Sequence, residues 1–282
     1  MMKLNHPKDR LLRLLLILLM GCSILACADV YQWQDTKGNK HYTDRVRDDS
    51  KKLPIKPGYA YFKIDKVYDG DTVKLEDGRK IRFLGINTPE IRHRNQAAEA
   101  GGEAAKNWLT TKLKNQKVRL VMDVEQTDKY KRTLAHLITE NKEHINVALV
   151  EMGLAAVNIY PPNLLYVDEL VAAGKRAEHA KRGIWQQAEY GMIKVDLLDK
   201  NGHSGWTRLM GKVSVVRSSR KYVYLEFSDL FQARIEKKWL SLFPDFNSYR
   251  GKTVEVRGWL NKNRDGWSML IRHPSAIALI PG

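Results

Sequence analysis

Two aspartates separated by one glycine stand between two strand-like stretches, in YDGDT at residues 68–72. Asp69, Gly70 and Asp71 are turn-forming residue types, and a plain turn is one interpretation of the motif. Two carboxylates at positions i and i+2 can also bind a hard cation such as Ca²⁺, which takes oxygen ligands. The motif therefore indicates either a turn or a metal site.

Two further stretches place charged residues beside strands. In IRFLGINTPE, residues 81–90, Arg82 interrupts an apolar run and Glu90 follows a proline turn. In QTDKYKRTLAHL, residues 126–137, a charged loop precedes a strand. Taken singly, the first is explained by a strand-face arginine with a solvated carboxylate, and the second by a charged surface loop. Together, the three stretches are much more specific than any one of them.

Their order and spacing resemble the staphylococcal nuclease (thermonuclease) family over roughly residues 60–187. The similarity includes DGDT, an arginine five residues before the NTPE element, and TDKY followed by an arginine. It continues through NVALVEMGLA, a proline-asparagine loop and a final helix that closes with IW. The resemblance implies a metal-dependent phosphodiesterase built on an OB-type barrel.

The resemblance also implies roles for individual residues at a Ca²⁺ site. Asp71 aligns with the direct metal ligand, and Asp69 with a carboxylate that supports the site without direct ligation. Thr88 aligns with a residue that offers its backbone carbonyl to the metal. Asn87 aligns with a position that holds a second carboxylate ligand in the type member.

For the chemistry, Glu90 aligns with the proposed general base, and Arg82 and Arg132 align with the arginines that hold the phosphate. These residue types suit the reaction, because water must be deprotonated before it attacks an anionic phosphodiester. Two guanidiniums and a divalent cation can then neutralise the charge that grows on the phosphate oxygens.

Nucleic-acid contacts follow from the same resemblance. Lys129 and Tyr130 align with residues that contact a terminal phosphate of the bound nucleotide. Tyr160, in NIYPPN, aligns with a base-stacking tyrosine, although the loop here is one residue shorter. Lys131 replaces a glycine of the type member and adds a positive charge that could hold nucleic acid.

Two of these positions depart from the family pattern. An asparagine carbonyl at position 87 can still bind Ca²⁺, but the site loses one negative charge, and we predict weaker metal binding. If position 131 requires a positive φ, its lysine is strained where a glycine would not be.

The elements that must position these residues can be read from periodicity. Five strand-like stretches and three amphipathic helical stretches in residues 60–187 predict a small mixed barrel. The longest helical stretch, YVDELVAAGKRAEHAKRGIW, has Val167, Leu170, Val171, Gly174 and Ala177 on one face. We interpret residues 188–205 as a connector.

Residues 206–282 return to strand character and predict a second, smaller OB-like β-barrel of five strands. This segment has a net charge of +8. Its aromatic residues alternate with Arg and Lys, which fits either a face that binds single strands or a barrel core. Those aromatics are Tyr222, Tyr224, Phe227, Trp259 and Trp267. The fold class is thus mostly β with some α.

The N-terminal segment divides into three parts. Residues 1–28 combine basic residues with an apolar run, which predicts a signal peptide and export to the periplasm or extracellular space. ACA fits ordinary cleavage after Ala28, LMGC fits a lipoprotein lipidated at Cys22 and attached to the membrane, and a retained anchor is the third alternative. Residues 29–50 predict a small β-hairpin module similar to a domain of unknown function found in many exported bacterial proteins. Residues 51–59 read as a linker.

The whole chain carries a formal net charge of +16, and +13 remains after residues 1–28 are removed. That charge predicts a polyanionic partner, either nucleic acid, an anionic membrane or an acidic polymer. The first hypothesis is a nuclease acting on DNA and RNA with little sequence preference, and no protein partner is predicted. The alternatives are a non-catalytic module that binds nucleic acid or envelope polymers, and an envelope assembly protein built around the hairpin.

Overall fold

The computed structural model describes residues 30–53, 60–91, 99–198, 205–263 and 266–281. The predicted signal peptide, residues 1–28, lies outside the described residues, and so does Cys22. The chain divides into two compact units, Met1–Tyr59 and Ala60–Gly282. Within the described ranges, no helix is both long enough and apolar enough to cross a membrane.

The N-terminal unit contains a three-stranded antiparallel sheet rather than a simple hairpin. Its strands are β1 (Val30–Gln34), β2 (Lys40–Thr43) and β3 (Lys51–Leu53), in the order β2-β1-β3. The predicted linker 51–59 is therefore wrong for its first three residues, since a three-residue strand is too short to show periodicity. Residues 54–59 lie outside the described part. The Trp33 ring stacks on His41 with 4.4 Å between ring centroids, so the sheet packs its own aromatics.

A closed five-stranded barrel opens the second unit, as the sequence predicts. Its strands, in the order β4-β5-β6-β9-β8, are β4 (Tyr61–Val67), β5 (Thr72–Leu75), β6 (Lys80–Phe83), β9 (Thr133–Thr139) and β8 (Lys117–Val121). Along β6, Ile81 and Phe83 are buried while Arg82 between them is only half-buried. Because side chains alternate across a strand, Arg82 is presented on the opposite face from the barrel core.

Three helices and a short strand pair complete this domain. The helices are α1 (Gly102–Leu113), α2 (Ile145–Glu151) and α3 (Val167–His179), and the short strands are β7 (Ile86–Asn87) and β10 (Ala156–Val157). The buried face of α3 is formed by Leu170, Ala173, Gly174 and Ala177. Three of these belong to the predicted apolar stripe, whose other members, Val167 and Val171, are half-buried. The pairing of Asn87 with Ala156 fixes the backbone of β7 just outside the barrel.

Residues 192–281 form one eight-stranded sheet wrapped around its own core. The strands are β11 (Met192–Lys194), β12 (Gly205–Lys212), β13 (Val215–Ser218), β14 (Tyr222–Ser228), β15 (Phe231–Glu236), β16 (Thr253–Lys262), β17 (Trp267–Leu270) and β18 (Ile277–Leu279). They pair in the order β11-β12-β16-β17-β15-β14-β13, with β18 on β16. The mostly β fold class is confirmed, but this sheet has eight strands rather than the predicted five.

The predicted connector 188–205 is also partly structured. Residues 192–194 pair with β12, and Val195 and Leu198 contribute to the hydrophobic core of the C-terminal sheet. Isolated apolar residues in so short a segment have no detectable period, which is why they read as a connector. Residues 199–204 are outside the described part of the chain.

The aromatics of this sheet divide between its two faces. Phe227 and Trp267 are buried in the core, whereas Tyr222, Tyr224 and Trp259 remain partly exposed. Arg217 lies over Tyr224, with its guanidinium carbon 4.2 Å from the ring centroid. The barrel-core interpretation therefore holds for Phe227 and Trp267, and the binding-face interpretation stays a prediction for the other three.

Candidate active site

Strand register brings the three motif stretches together at one side of the barrel. Thr72, directly after Asp71, lies opposite Arg82 in the antiparallel pairing of β5 with β6. Because β6 and β9 run parallel, Arg82 also lies opposite Leu134, two residues beyond Arg132. The chain segments that carry DGDT, Arg82 and TDKYKR are therefore neighbours in the sheet.

The DGDT turn holds Asp71 against the backbone of the TPE element. The Asp71 N–H donates to Asp69 Oδ1 at 3.0 Å, and the Thr88 N–H donates to Asp71 Oδ2 at 2.9 Å. Only a glycine fits at position 70, since a Cβ there would lie 2.6 Å from Ala105 Cβ on α1. Asp71 is 5% exposed, so its carboxylate sits in a fixed and largely dry position.

The Arg82 guanidinium is held by hydrogen bonds from both of its terminal nitrogens. Nη1 donates to the carbonyl oxygens of Phe83 at 2.7 Å and Ile86 at 3.1 Å. Nη2 donates to Asn87 Oδ1 at 3.1 Å and lies 3.0 Å from Asp71 Oδ2. The predicted phosphate-binding arginine thus touches two of the predicted metal ligands.

Asn87 uses both halves of its amide. Its Oδ1 accepts from Arg82, and its Nδ2 donates to the Thr88 carbonyl oxygen at 3.1 Å. A carboxylate at this position could accept from the arginine but could not donate to the carbonyl. The amide therefore satisfies a local hydrogen-bond pattern that an aspartate would break.

Glu90 is half-buried and is positioned through its backbone. Its N–H donates to Glu99 Oε2 at 2.9 Å, and its carbonyl oxygen accepts from the Glu99 N–H at 2.8 Å. Burial raises the pKa of the Glu90 carboxyl, and the nearby carboxylates of Asp69 and Asp71 raise it further. Arg82 acts in the opposite direction. Glu90 therefore shares one electrostatic environment with the DGDT turn.

Arg132 is oriented by Asp128. Its Nε donates to Asp128 Oδ2 at 2.7 Å, while Asp128 Oδ1 accepts the backbone N–H groups of Tyr130 and Arg132, each at 2.9 Å. These bonds, led by the Arg132 backbone, hold the pKa of Asp128 below its usual value despite partial burial. Lys131 has φ 63, so the positive-φ condition for strain at this lysine is met.

A cleft of about 520 Å³ joins most of the predicted substrate-binding residues. It is lined by Arg82, Asn87, Lys129, Tyr130, Arg132 and Tyr160, among others. Tyr130 is 68% exposed and Tyr160 43%, so both rings are open to a ligand. Lys131 is exposed but does not line this cleft, and neither Asp71 nor Glu90 lines it.

The donor set suits a hard cation without forming a dense cluster. Within the described residues, no group of three or more His, Cys, Asp or Glu side chains has metal-binding geometry. The predicted ligands are instead a carboxylate, an amide oxygen and a backbone carbonyl, all oxygen donors of the kind Ca²⁺ takes. Burial, followed by the Asp71 carboxylate, raises the pKa of Asp69. Three carboxylates against one arginine leave an excess of negative charge that a divalent cation would balance.

The domain that contains the cleft is similar to known proteins. Residues 80–187 match the family model described as staphylococcal nuclease homologue. A thermonuclease of Staphylococcus hyicus is 37% identical over 127 residues, covering 44% of this chain and 75% of that protein. A thermonuclease of Staphylococcus intermedius is 38% identical over 133 residues, covering 46% of this chain and 78% of that protein.

The chain belongs to the staphylococcal nuclease family. An endonuclease of Bacillus subtilis, YncB, is 28% identical over 162 residues, which is 56% of this chain and 76% of that protein. Residues 16–61 match a domain of unknown function (DUF4124), in agreement with the resemblance of the N-terminal module. These relatives support a nuclease function for the domain that contains the cleft.

Sequence reasoning did not assign a role in the site to three residues of this staphylococcal nuclease family member. Glu99 and Asp128 hold Glu90 and Arg132 in place, but in the sequence they read as ordinary charged loop residues. Arg272 lines the cleft from the C-terminal sheet, far outside the matched segment. Only its place in a segment of high positive charge pointed towards nucleic acid.

Proposed function

We propose that the protein is an exported, calcium-dependent nuclease that hydrolyses DNA and RNA with little sequence preference. The observation that carries this proposal is the Arg82 guanidinium, which bridges Asp71 and Asn87 while facing a cleft that Arg132 also lines. One residue thereby joins the candidate metal ligands to the candidate phosphate-binding cleft, which supports the proposal.

Asp71, Asn87 and the Thr88 carbonyl would hold the cation, with Asp69 supporting Asp71. A bound Ca²⁺ would supply positive charge beside the phosphate oxygens and so lower the barrier to attack. The Thr88 carbonyl has two lone pairs, so its bond from Asn87 leaves one free for a ligand role. Arg82 covers Asp71 Oδ2 and Asn87 Oδ1, and its side chain would therefore shift towards the phosphate when those oxygens take a new partner.

Glu90 would accept a proton from the attacking water. Its backbone is fixed at both N–H and C=O by Glu99. A general base must lie within hydrogen-bond reach of the water that it deprotonates. The influence of Asp69, Asp71 and Arg82 on the Glu90 carboxyl supports a position beside the proposed metal site.

The two arginines would hold the phosphate in the cleft. Arg132 donates to Asp128 through Nε. Its Nη groups make no hydrogen bond to any described residue. Those donors can bind phosphate oxygens in the planar fork that guanidinium provides. Fixed donors aimed at growing charge stabilise the transition state more than the substrate.

Lys129, Tyr130, Lys131 and Tyr160 would extend the contact along the nucleic-acid strand. Cations attract any phosphate backbone and exposed rings stack on any base, so neither selects a sequence. This supports action on both DNA and RNA. The net charge of +16 supports strong, salt-dependent attraction to these polyanions.

Export rests on the sequence of residues 1–28, where a basic segment precedes an apolar run. We propose a periplasmic or extracellular location for the processed protein. Lipidation at Cys22, with attachment to a membrane, is the alternative. Mass spectrometry of the protein from cells that express the full gene would separate cleavage after Ala28 from a lipid on Cys22.

The test of activity uses the purified protein with plasmid DNA, single-stranded DNA and RNA, with Ca²⁺ or with chelator. We expect cleavage of all three substrates with Ca²⁺ and none with chelator. Asp71→Asn should raise the Ca²⁺ concentration that is needed, whereas Asp77→Asn removes an exposed carboxylate paired with Arg79 and should not. Binding without cleavage under any divalent ion would contradict the nuclease proposal and favour a non-catalytic binding module.

A further inference from the structure

Ion pairs join the C-terminal sheet to helix α3. Glu178, in the last turn of α3, pairs with Arg208 and with Arg257, the latter at 2.9 Å between Nη1 and Oε2. Both arginines also pair with Glu255, at 2.7 Å and 2.6 Å, and Glu255 is 4% exposed. Loss of one partner would leave a buried charge uncompensated, so these pairs favour a single docked arrangement.

In this docked arrangement, Arg272 of the C-terminal domain lies at the cleft. Arg272 follows β17, and Ile271 before it is fully buried, with its N–H donating to the Arg234 carbonyl oxygen at 2.9 Å. After it, the Ser275 N–H donates to His273 Nδ1 at 3.1 Å and closes a turn. The backbone is thus held on both sides of the arginine.

The Arg272 side chain lies over Tyr160, with the guanidinium carbon 4.4 Å from the ring centroid. It lines the same cleft as Arg82 and Arg132. Among the described residues, no carboxylate forms an ion pair with it. A guanidinium that uses its face on a ring keeps its in-plane N–H donors for other partners, and a phosphate matches that planar fork.

We propose that Arg272 is a substrate-positioning residue, contributed by the C-terminal sheet, that binds a backbone phosphate of the strand lying in the nuclease cleft. Tyr160 serves as the platform that holds the guanidinium in place. The inference rests on the proposed nuclease function, but the residue lies outside the segment 80–187 that matches the family. The C-terminal sheet is thereby part of the substrate site.

Loss of one phosphate contact has a defined signature. The affinity for single-stranded DNA should fall about tenfold, and the slope of log K against log salt should become shallower by about 0.7. Because Arg272 does not touch the reacting groups, the KM for cleavage should rise while kcat stays within about twofold.

The experiment measures binding of a labelled single-stranded oligonucleotide by fluorescence anisotropy at several salt concentrations, with chelator present. Arg272→Ala is compared with Arg250→Ala, which removes an exposed arginine from a turn before β16, outside the cleft. Arg272→Lys should restore affinity only in part, since a lysine lacks the planar fork. Tyr160→Leu should weaken binding of the oligonucleotide, whereas Tyr160→Phe, which keeps the ring, should not. The double variant Tyr160→Leu with Arg272→Ala should lose less binding free energy than the two single variants combined.

Equal affinity and equal salt slope for Arg272→Ala and Arg250→Ala would overturn the inference, and so would additive effects at positions 160 and 272. If the wild type cleaves but Arg272→Ala shows no change in KM, the nuclease proposal stands and only the role of Arg272 fails. If the wild type binds without cleaving, the nuclease proposal fails, while the difference in salt slope still decides whether Arg272 contacts phosphate.

Discussion

Asp71 and Arg82 form an ion pair of 3.0 Å in which neither side chain is more than 15% exposed. The same guanidinium nitrogen donates to Asn87 at 3.1 Å. One guanidinium therefore contacts two of the oxygens to which we assign metal binding, and the metal site and the phosphate site are electrostatically linked. Changes at either residue should be felt at both.

The two arginines should differ in how their loss affects the protein. Arg132→Ala removes a phosphate donor whose described contacts are confined to its own loop, and we expect kcat to fall about 10²–10³-fold. Arg82→Ala should cause a similar loss of rate and also lower the free energy of unfolding by about 1–3 kcal/mol, because the carbonyls of Phe83 and Ile86 lose their donor.

Single-turnover cleavage and urea denaturation measure the two effects separately. Arg79→Ala, which removes an exposed arginine at a hairpin, is the control for a change in charge. If Arg82→Ala and Arg132→Ala lost the same free energy of unfolding, the Arg82 hydrogen bonds would not support the fold as described.

Replacement of Asn87 by Asp should tighten Ca²⁺ binding about tenfold, which corresponds to about 1.4 kcal/mol. Added ligand charge favours the cation, and this gain must exceed the loss of the hydrogen bond from Nδ2 to Thr88. Isothermal titration calorimetry with Ca²⁺ measures the change. Asn115→Asp adds the same charge at an exposed position and should leave affinity unaltered. An unchanged or lower affinity in Asn87→Asp would show that the amide, rather than the charge, determines metal binding here.

Lys131→Gly should stabilise the protein by about 0.5–1 kcal/mol. The backbone at Lys131 has φ 63, which costs a lysine about 1–2 kcal/mol and a glycine almost nothing, although glycine gains entropy in the unfolded chain. Lys131→Ala removes the same charge but keeps the strain, so it should not raise stability. Thermal denaturation of both variants decides the matter, and a stabilised alanine variant would assign the effect to charge instead.

Stability should fall with acidification through a buried histidine pair. Burial lowers the pKa of His136 to about 4 and that of His144 to about 3, and their rings are joined by a hydrogen bond of 3.1 Å. Asp123 partly offsets the shift at His136. Since the unfolded state binds protons near pH 6.5 and the folded state does not, this contribution is complete above pH 6.5 and is lost as pH falls below it.

We expect the free energy of unfolding to drop by at least about 1.4 kcal/mol between pH 7 and pH 5 because of this pair. Urea denaturation at both pH values should show a smaller drop in His144→Gln and an unchanged drop in His179→Gln, which alters an exposed histidine. A drop in His144→Gln as large as that of the wild type would exclude the pair as the source.

The sequence predicts the first barrel well because its signals are local. Alternation along β6 places Arg82 on the face opposite the core, helical spacing defines the buried face of α3, and glycine replaced by lysine at position 131 signals strain. Strand register then assembles these pieces, and register follows from the buried pattern.

What the sequence could not show depends on contacts between distant residues or on very short elements. The contact of Arg272 with Tyr160 requires the C-terminal sheet to dock on the first domain, and no local pattern predicts that docking. Glu99 and Asp128 act through single hydrogen bonds, which leave no periodic signal. Residues 192–194 form a strand too short to be distinguished from a connector.

If Glu90 is the base of a calcium-dependent nuclease, its carboxylate is required for cleavage, and comparing the cleavage rates of wild type and Glu90→Gln tests this. Single-stranded DNA and saturating Ca²⁺ are used, with Glu103→Gln as a control for an exposed glutamate nearby on α1. We predict that Glu90→Gln is at least about 10²-fold slower, while Glu103→Gln matches the wild type. Equal rates for Glu90→Gln and wild type would contradict the assignment.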